Sequence, residues 1–338
     1  MQLETDIIKK NSFELSANKF LRVNSAYAFQ HLLGVNPIRF NYHINKPIYF
    51  KFTIPKKKNG VRVIQAPNEE LKQIQKKLNY YLQALYYRVK PDCVHGFIKM
   101  PKAETVKRTI VSNGSAHAGS KFLLNLDIKD FFSSITAKQV KTTLMQKPFN
   151  LNEEVSTLIA LLGTYEKVLP TGSPSSPVLA NIVCYEIDKE FENLCQKYNI
   201  RYTRYADDLS FSCDTFIEKE FIYACQALLA TYNFQLNEDK IRLQSSKSKQ
   251  TVTGIVVNQK VNVDRKYIRN LRAILHHWEL NGLGKAAAKH FGTVKLDSFS
   301  LIPKLKGQIE FVGQVRGKDD LIYQKLKIKF EENLDLDI

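Results

Sequence analysis

With 338 residues, 44% of them apolar, and 20 phenylalanines beside 16 tyrosines, the chain can build a sizeable core, which excludes a disordered polymer. Fifty Lys and Arg against 33 Asp and Glu leave a formal charge of +17, which points to a polyanionic partner. No apolar run of roughly 18 residues occurs and no charged-then-apolar leader opens the chain, so neither membrane insertion nor secretion is expected.

Residues 1–45 carry weak helical signals, the clearest at Ser25–Leu33, where Phe29 and Leu33 stand four apart. Tyr49–Ile54 and Val61–Ile64 alternate as strands around a Lys-rich turn ending in Asn59-Gly60, and Pro67 ends the second strand. Glu69 to Arg88 reads as a long helix with Leu71, Ile74, Leu78, Leu82 and Leu85 on one face. An apolar strand, Phe122–Asp127, comes next. Helices are expected from Thr136 to about Gln146, over Glu153–Gly163 and, unbroken, over Ser175–Gln196. A hairpin at Tyr202–Ser212, a helix at Ile217–Tyr232 and a strand region at Thr251–Asn258 follow. From Asp264 the chain turns helical: Tyr267, Leu271, Ile274 and Trp278 form an apolar stripe, with Arg265, Lys266, Arg269 and Arg272 mostly off it. Those cations suit a nucleic-acid-holding face as well as an ordinary solvated one. This order of strands and helices indicates an α+β fold with an antiparallel sheet and helices on one side.

Five cysteines (Cys93, Cys184, Cys195, Cys213 and Cys225) show no C-x-x-C spacing. They read as buried free thiols in a reducing compartment, which places the protein in the cytoplasm. The histidines form no zinc pattern; the adjacent His276 and His277 point in different directions on a helix.

Chemistry concentrates in two segments. Arg204-Tyr205-Ala206-Asp207-Asp208-Leu209-Ser210 puts two carboxylates at a hairpin tip, and Asp127 ends a strand about 80 residues upstream. An Asp pair in a turn is often only a solvated turn. Three oxygen donors on two adjacent strands, however, can hold a pair of Mg²⁺ ions roughly 3.5–4 Å apart. Such a pair lowers the pKa of a primer hydroxyl and stabilises leaving pyrophosphate.

The Tyr-Ala-Asp-Asp run, the upstream aspartate with its aromatic pair and the segments below resemble the reverse transcriptases, over roughly residues 50–330. Within them the chain is similar to the bacterial retron type. The resemblance implies a right-hand polymerase: an N-terminal segment and fingers at 1–120, a palm at 121–258 with a fingers-linked helical part near 136–168, and a helical thumb at 259–338. It implies that Asp127 and Asp207 hold both Mg²⁺ ions, with Asp208 more loosely involved and the Ile128 carbonyl as a further ligand. Asp130 reads more plainly as a helix-start or solvent carboxylate.

Phe132 matches the position that blocks a ribose 2′-OH and so selects deoxynucleoside triphosphates; the alternative is that Phe131 and Phe132 are both core. Leu169–Pro177 resembles the family's Gln-Gly-x-x-x-Ser-Pro loop, with Gly172 permitting close approach to a nucleotide and Thr171 standing where glutamine is usual. Arg62 and Lys58 are candidates to grip the triphosphate, and Lys240 to stand near the leaving phosphates. Asn113 to His117 resembles a retron Asn-x-x-x-His element, and Val252-Thr253-Gly254 a retron Val-Thr-Gly strand; both are expected at the RNA or primer, as are Arg265, Arg269 and Arg272 of the thumb. Gly307–Val315 looks like the late thumb helix of that type.

The implied activity is RNA-templated DNA synthesis on a dedicated structured non-coding RNA, primed from an internal 2′-OH. It leaves a branched RNA–DNA (msDNA) and serves antiphage defence with a separate effector protein. A non-retron bacterial defence or group II intron-like reverse transcriptase is the alternative. A catalytically inactive nucleic-acid-binding scaffold is more remote, since its mark would be broken carboxylates.

Overall fold

The computed structural model describes residues 2–55, 60–101, 104–291 and 301–337. In chain order its elements begin with α1 (Gln2–Leu21), α2 (Ala26–Leu33), α3 (Pro37–Asn45), β1 (Tyr49–Pro55), β2 (Val61–Pro67), α4 (Glu69–Val89) and α5 (Ile110–Ser115). There follow β3 (Phe122–Asp127), α6 (Ala137–Met145), α7 (Glu153–Gly163), α8 (Ser176–Val183), α9 (Tyr185–Lys197), β4 (Arg201–Tyr205) and β5 (Asp208–Cys213). The last are α10 (Lys219–Thr231), β6 (Arg242–Ser245), β7 (Thr251–Val252), β8 (Ile255–Val256), α11 (Arg265–Phe291), α12 (Leu301–Arg316) and α13 (Leu321–Asp337). Packing divides the chain into two compact units, 1–109 with 124–243 and 110–123 with 244–338. No helix of the described residues is long and apolar enough to cross a membrane.

In the first unit, short polar side chains start the helices by satisfying orphan backbone donors. Asn68 Oδ1 accepts from Leu71 N at 3.0 Å to open α4, Asn152 Oδ1 accepts from Val155 N at 2.8 Å to open α7, and Thr136 and Gln139 form a capping box on α6. α4 buries Leu71, Ile74, Leu78, Leu82 and Leu85, the whole of its expected stripe. The single helix expected over Ser175–Gln196 is two. Cys184, at φ −77° and ψ 0°, turns the chain between α8 and α9. The reason lies in burial: α8 hides side chains on all sides, whereas α9 hides only Ile187, Asp188, Phe191 and Cys195.

β1 and β2 form an antiparallel hairpin with Phe52 opposite Ile64 and Ile54 opposite Arg62. The principal sheet has the order β4-β5-β3-β6. The alternation of Leu209, Phe211 and Cys213 predicts one wet face on β5, yet Ser210 and Ser212 are buried as well. Both faces of this strand are covered. An aromatic chain of Phe191, Tyr202, Phe211 and Phe221, with ring centroids 5.1–5.7 Å apart, packs around the β4–β5 hairpin. β6 and the 3-10 turn Glu238–Lys240 had no periodic signal, being only 4 and 3 residues long.

The second unit is built on α11, α12 and α13. Leu271 and Trp278 are buried as expected, but Ile268 and Leu275 complete the apolar face while Tyr267 and Ile274 are only half-buried. Trp278 meets Phe330 edge-on at 5.8 Å. α11 is interrupted at Gly282, where φ is 77° and ψ 164°, a conformation open to glycine. The region Thr251–Asn258 is a tiny hairpin: Thr253 (φ 46°) and Gly254 (φ 85°) make its turn, and two successive positive φ values suit the twist of a two-residue connection.

Candidate active site

The three aspartates converge at one end of the principal sheet. Asn125 Nδ2 donates to Ser210 Oγ at 3.2 Å between neighbouring strands β3 and β5. Side chains repeat on a face every second residue, so the next positions on that face are Asp127 and Asp208. Ile128 N donates to Asp207 O at 3.0 Å, which carries the pairing into the turn itself. On the other side of β3, Asn237 N donates to Asp127 O at 2.8 Å and Lys129 N to Gln235 O at 2.8 Å. Those two bonds flank a bridge between Ile128 and Leu236, and neither uses the Ile128 carbonyl.

The turn linking β4 to β5 consists of Ala206 and Asp207, since Tyr205 pairs with Asp208. Ala206 sits at φ 59°, a region that an L side chain enters at a cost. Gly96 is pressed against this turn: a Cβ there would lie 2.7 Å from Ala206 N. The segment Cys93–Gly96 runs beside β4, with Arg204 N donating to Cys93 O at 2.8 Å and His95 N to Arg204 O at 2.9 Å.

Electrostatics matches the crowding. Burial, then the charge of Asp127, pushes the Asp207 carboxyl above its ordinary value, with Lys240 and Arg62 pulling it down. Asp208 is pushed up to about 6 by burial, then by Asp207 and Asp127, against Lys240 and Arg242. Lys240 Nζ donates to both oxygens of Asp127 at 2.8 and 2.9 Å. Among the described residues no three carboxylate, imidazole or thiolate side chains already form a metal cage. The ammonium of Lys240 supplies positive charge at Asp127 instead. In chemistry the donors fit a hard divalent cation: all are oxygens, held at strand ends, and short of positive charge.

Arg62 is exposed on the face of β2 that carries Ile64 and lies opposite Ile54. Lys58 lies outside the described residues. Phe131 is buried against Phe234, 6.0 Å between centroids, whereas Phe132 is half-buried and leans on Phe131 at 5.5 Å and on Phe97 at 6.0 Å. Phe131 is therefore core and Phe132 retains an open side.

Two residues of the Leu169–Pro177 loop lie against β2. Thr171 Oγ1 donates to Val63 O at 2.9 Å and accepts from Gln65 N at 3.4 Å, so its hydroxyl ties the loop to β2. At Gly172 a Cβ would stand 2.5 Å from Gln65 O. This glycine permits a close approach of the β2 backbone.

In the second unit α5 packs on β7 and β8, which brings the Asn113–His117 and Val252–Gly254 segments together. Asn113 Nδ2 reaches Thr253 Oγ1 at 3.5 Å, and a Cβ on Gly114 would come within 3.1 Å of Ile255. Asn113, His117 and Val252 are buried at 0%, 1% and 0% exposure, so direct nucleic-acid contact by these three side chains is not what the structure offers. They shape the backbone that presents Thr253 and the exposed Gly254. Arg265, Arg269 and Arg272 are all exposed on α11.

Several contributors escaped sequence reasoning. Arg204 belongs to the motif run, but its side chain is fully buried with Asp188 and Asn181. The available signal was a lone acid, Asp188, between Ile187 and Phe191 on an apolar helix face. Phe97, at φ 60°, backs Phe132 and had no periodic context.

The raised pKa of Asp208 has a pH consequence with a definite sign. A carboxyl whose folded pKa is raised favours folding below its unfolded value near 3.8, and that contribution disappears as pH rises through about 6. A divalent cation binds the ionised form, so protons compete with it in the same window. Mg²⁺ is expected to raise the melting temperature more at pH 7.5 than at pH 5, as thermal denaturation with and without the ion will show; an equal rise at both would refute it.

Residues 54–263 match the family described as Reverse transcriptase (RNA-dependent DNA polymerase). Among curated relatives, the Retron Mx65 reverse transcriptase of Myxococcus xanthus is 32% identical over 263 residues, covering 70% of this chain and 58% of the relative. The Retron Mx162 reverse transcriptase of the same organism is 30% identical over 303 residues, 77% and 60% of the two chains. The Retron Ec86 reverse transcriptase of Escherichia coli is 30% identical over 237 residues, 68% and 69%. The chain thus spans about three fifths of the length of the two Myxococcus relatives. A match across most of the chain that includes all three aspartates assigns it: the chain belongs to the reverse transcriptase family, and the three relatives named above are retron reverse transcriptases.

Proposed function

We propose that the chain is an RNA-directed DNA polymerase that copies a dedicated structured non-coding RNA into a branched RNA–DNA (msDNA) within an antiphage retron system. The observation that carries this reading is the meeting of Asp127 with Asp207 and Asp208 at the end of β3 and β5, ringed by Lys240, Arg62 and Arg242. Divalent-metal dependence goes with the family. Asp127 and Asp207, with Asp208 and the Ile128 carbonyl, would hold two Mg²⁺ ions; when bound, these ions activate the primer hydroxyl and neutralise charge on the leaving pyrophosphate.

The chain's own residues do the remaining work. Arg62 projects a guanidinium fork able to take two phosphate oxygens. Lys240 is 57% exposed at its side chain and long enough to exchange Asp127 for the leaving phosphates, where it can donate a proton. The open side of Phe132 presents a flat ring to the sugar and excludes a 2′-OH. Arg265, Arg269 and Arg272 supply a cationic helix face for the backbone of structured RNA, whose shape and 2′-hydroxyls carry recognition. Fingers, palm and thumb at about 1–120, 121–258 and 259–338 are the functional division that goes with this reading. A separate effector protein completes the system, and the five buried free cysteines suit the cytoplasm.

The deciding experiment is to sequence nucleic acid released from the purified protein, before and after ribonuclease and debranching treatment. One discrete RNA carrying covalently branched DNA is expected; a heterogeneous RNA pool with no attached DNA favours a non-retron reverse transcriptase. Asp207→Asn removes a metal ligand while leaving the basic surfaces alone, so primer extension is expected to vanish with RNA affinity retained. Normal extension by that variant would overturn the metal assignment. Phe132→Ala is expected to raise the ratio of ribonucleotide to deoxyribonucleotide incorporation. A drop in stability of roughly 3–5 kcal/mol with an unchanged ratio would instead mark the ring as core.

A further inference from the structure

We infer that Arg204 is a positioning residue for the Ala206–Asp207 turn, acting with Asp188 and Asn181; the inference rests on the polymerase reading above. Both Arg204 and Asp188 have 0% side-chain exposure. Arg204 Nε donates to Asp188 Oδ1 at 2.7 Å and Nη2 to Asp188 Oδ2 at 2.6 Å, a two-pronged pairing. Nη1 donates to Asn181 Oδ1 at 3.0 Å and to the Ala206 carbonyl at 3.2 Å. Tyr202 Oη also donates to Asp188 Oδ1, at 2.9 Å. Asn181 Nδ2 in turn donates to Gly96 O at 2.9 Å, and Gly96 backs Ala206 N from the other side.

The consequence is a turn hydrogen-bonded at the Ala206 carbonyl and closely packed at the Ala206 amide. On one side the guanidinium takes the Ala206 carbonyl, which belongs to the peptide that leads into Asp207. On the other, the glycine backbone stands against the Ala206 amide. Ala206 meanwhile occupies φ 59°, a conformation this residue does not favour alone. A charge pair this deeply buried is costly to assemble and is often no better for stability than well-packed apolar residues. Its geometry makes sense as a jig. The fork is anchored by Asp188 and Asn181, and Nη1 also reaches the Ala206 carbonyl, in the peptide that leads into Asp207.

The test replaces the charge pair without leaving an unpaired buried charge, and takes the guanidinium from Asn181 Oδ1 and the Ala206 carbonyl: Arg204→Met with Asp188→Leu and Tyr202→Phe, alone and combined with Ala206→Gly. Primer extension, the Mg²⁺ concentration for half-maximal rate, melting temperature and amide exchange of the 204–209 segment in metal-free protein are measured. The triple variant is expected to lose about 100-fold in kcat with little change in KM for primer–template, because a small misplacement of a reacting group costs about that much. Its 204–209 amides should exchange faster than those of the wild type. Adding Ala206→Gly should restore about tenfold of the lost rate, since glycine populates positive φ without help.

A purely structural role predicts a lower melting temperature with no recovery from Ala206→Gly, and that result would overturn the inference. So would wild-type kcat in the triple variant. If the triple variant does not fold, Arg204→Lys decides in its place: it keeps the charge opposite Asp188 but loses the fork, and the same loss and recovery are expected. Wild-type extension run alongside separates the two readings. Its absence would overturn the polymerase reading and this inference together; normal wild-type turnover with unaffected variants would overturn the inference alone.

Discussion

Like charges held close together are the constraint around which this protein is organised. Asp127, Asp207 and Asp208 share one corner of a sheet, and their mutual repulsion, added to burial, raises the last two carboxyls. Such a cluster does not assemble from side-chain attraction. It exists because backbone pairing between β3 and β5, and between Ile128 and the turn, fixes where the side chains begin. The sheet supplies the order and the carboxylates inherit it.

The surrounding cations show how the resting protein tolerates the cluster. Lys240 lies on Asp127 through a flexible stem, while Arg62 and Arg242 act from farther away. Each reaches the acids from a different element: the 3-10 turn before β6, β2 and β6 itself. The compensation is therefore mobile and divisible, unlike the buried Arg204–Asp188 pair, which is committed to one arrangement. The lysine that pairs with Asp127 is more than half exposed, whereas the Arg204–Asp188 pair is sealed inside.

Elements with strong periodicity were legible in the sequence, and the physical reason is that one face decides them. The α4 stripe, the β3 strand, the β4–β5 hairpin and the α7 boundaries came through because burial on a single side writes itself as spacing. The break at Cys184 did not, since an apolar run reads the same whether it is buried on one side or all round. The association of 110–123 with 244–338 is a long-range contact that leaves no local pattern. At the site, the aspartates were visible as a motif, but the partners of Thr171 and Gly172 were not. Both residues lie against the β2 backbone, a contact that no local spacing announces. A motif names residue types; which of two nearby backbones they serve is decided in three dimensions.

The five cysteines carry a consequence beyond packing. All are free and buried, and for Cys93, Cys184, Cys195 and Cys225 burial pushes the thiol up, to about 12 for Cys184 and Cys195. The thiolate is the form that attacks electrophiles and peroxide. Five hidden thiols, four of them also held toward the protonated form, are therefore chemically quiet toward oxidants and alkylating dyes alike. A single cysteine introduced on an exposed position, such as one along α11, would be the reactive handle on a silent background, so distances within the folded protein can be followed by fluorescence without first stripping the native thiols from its core.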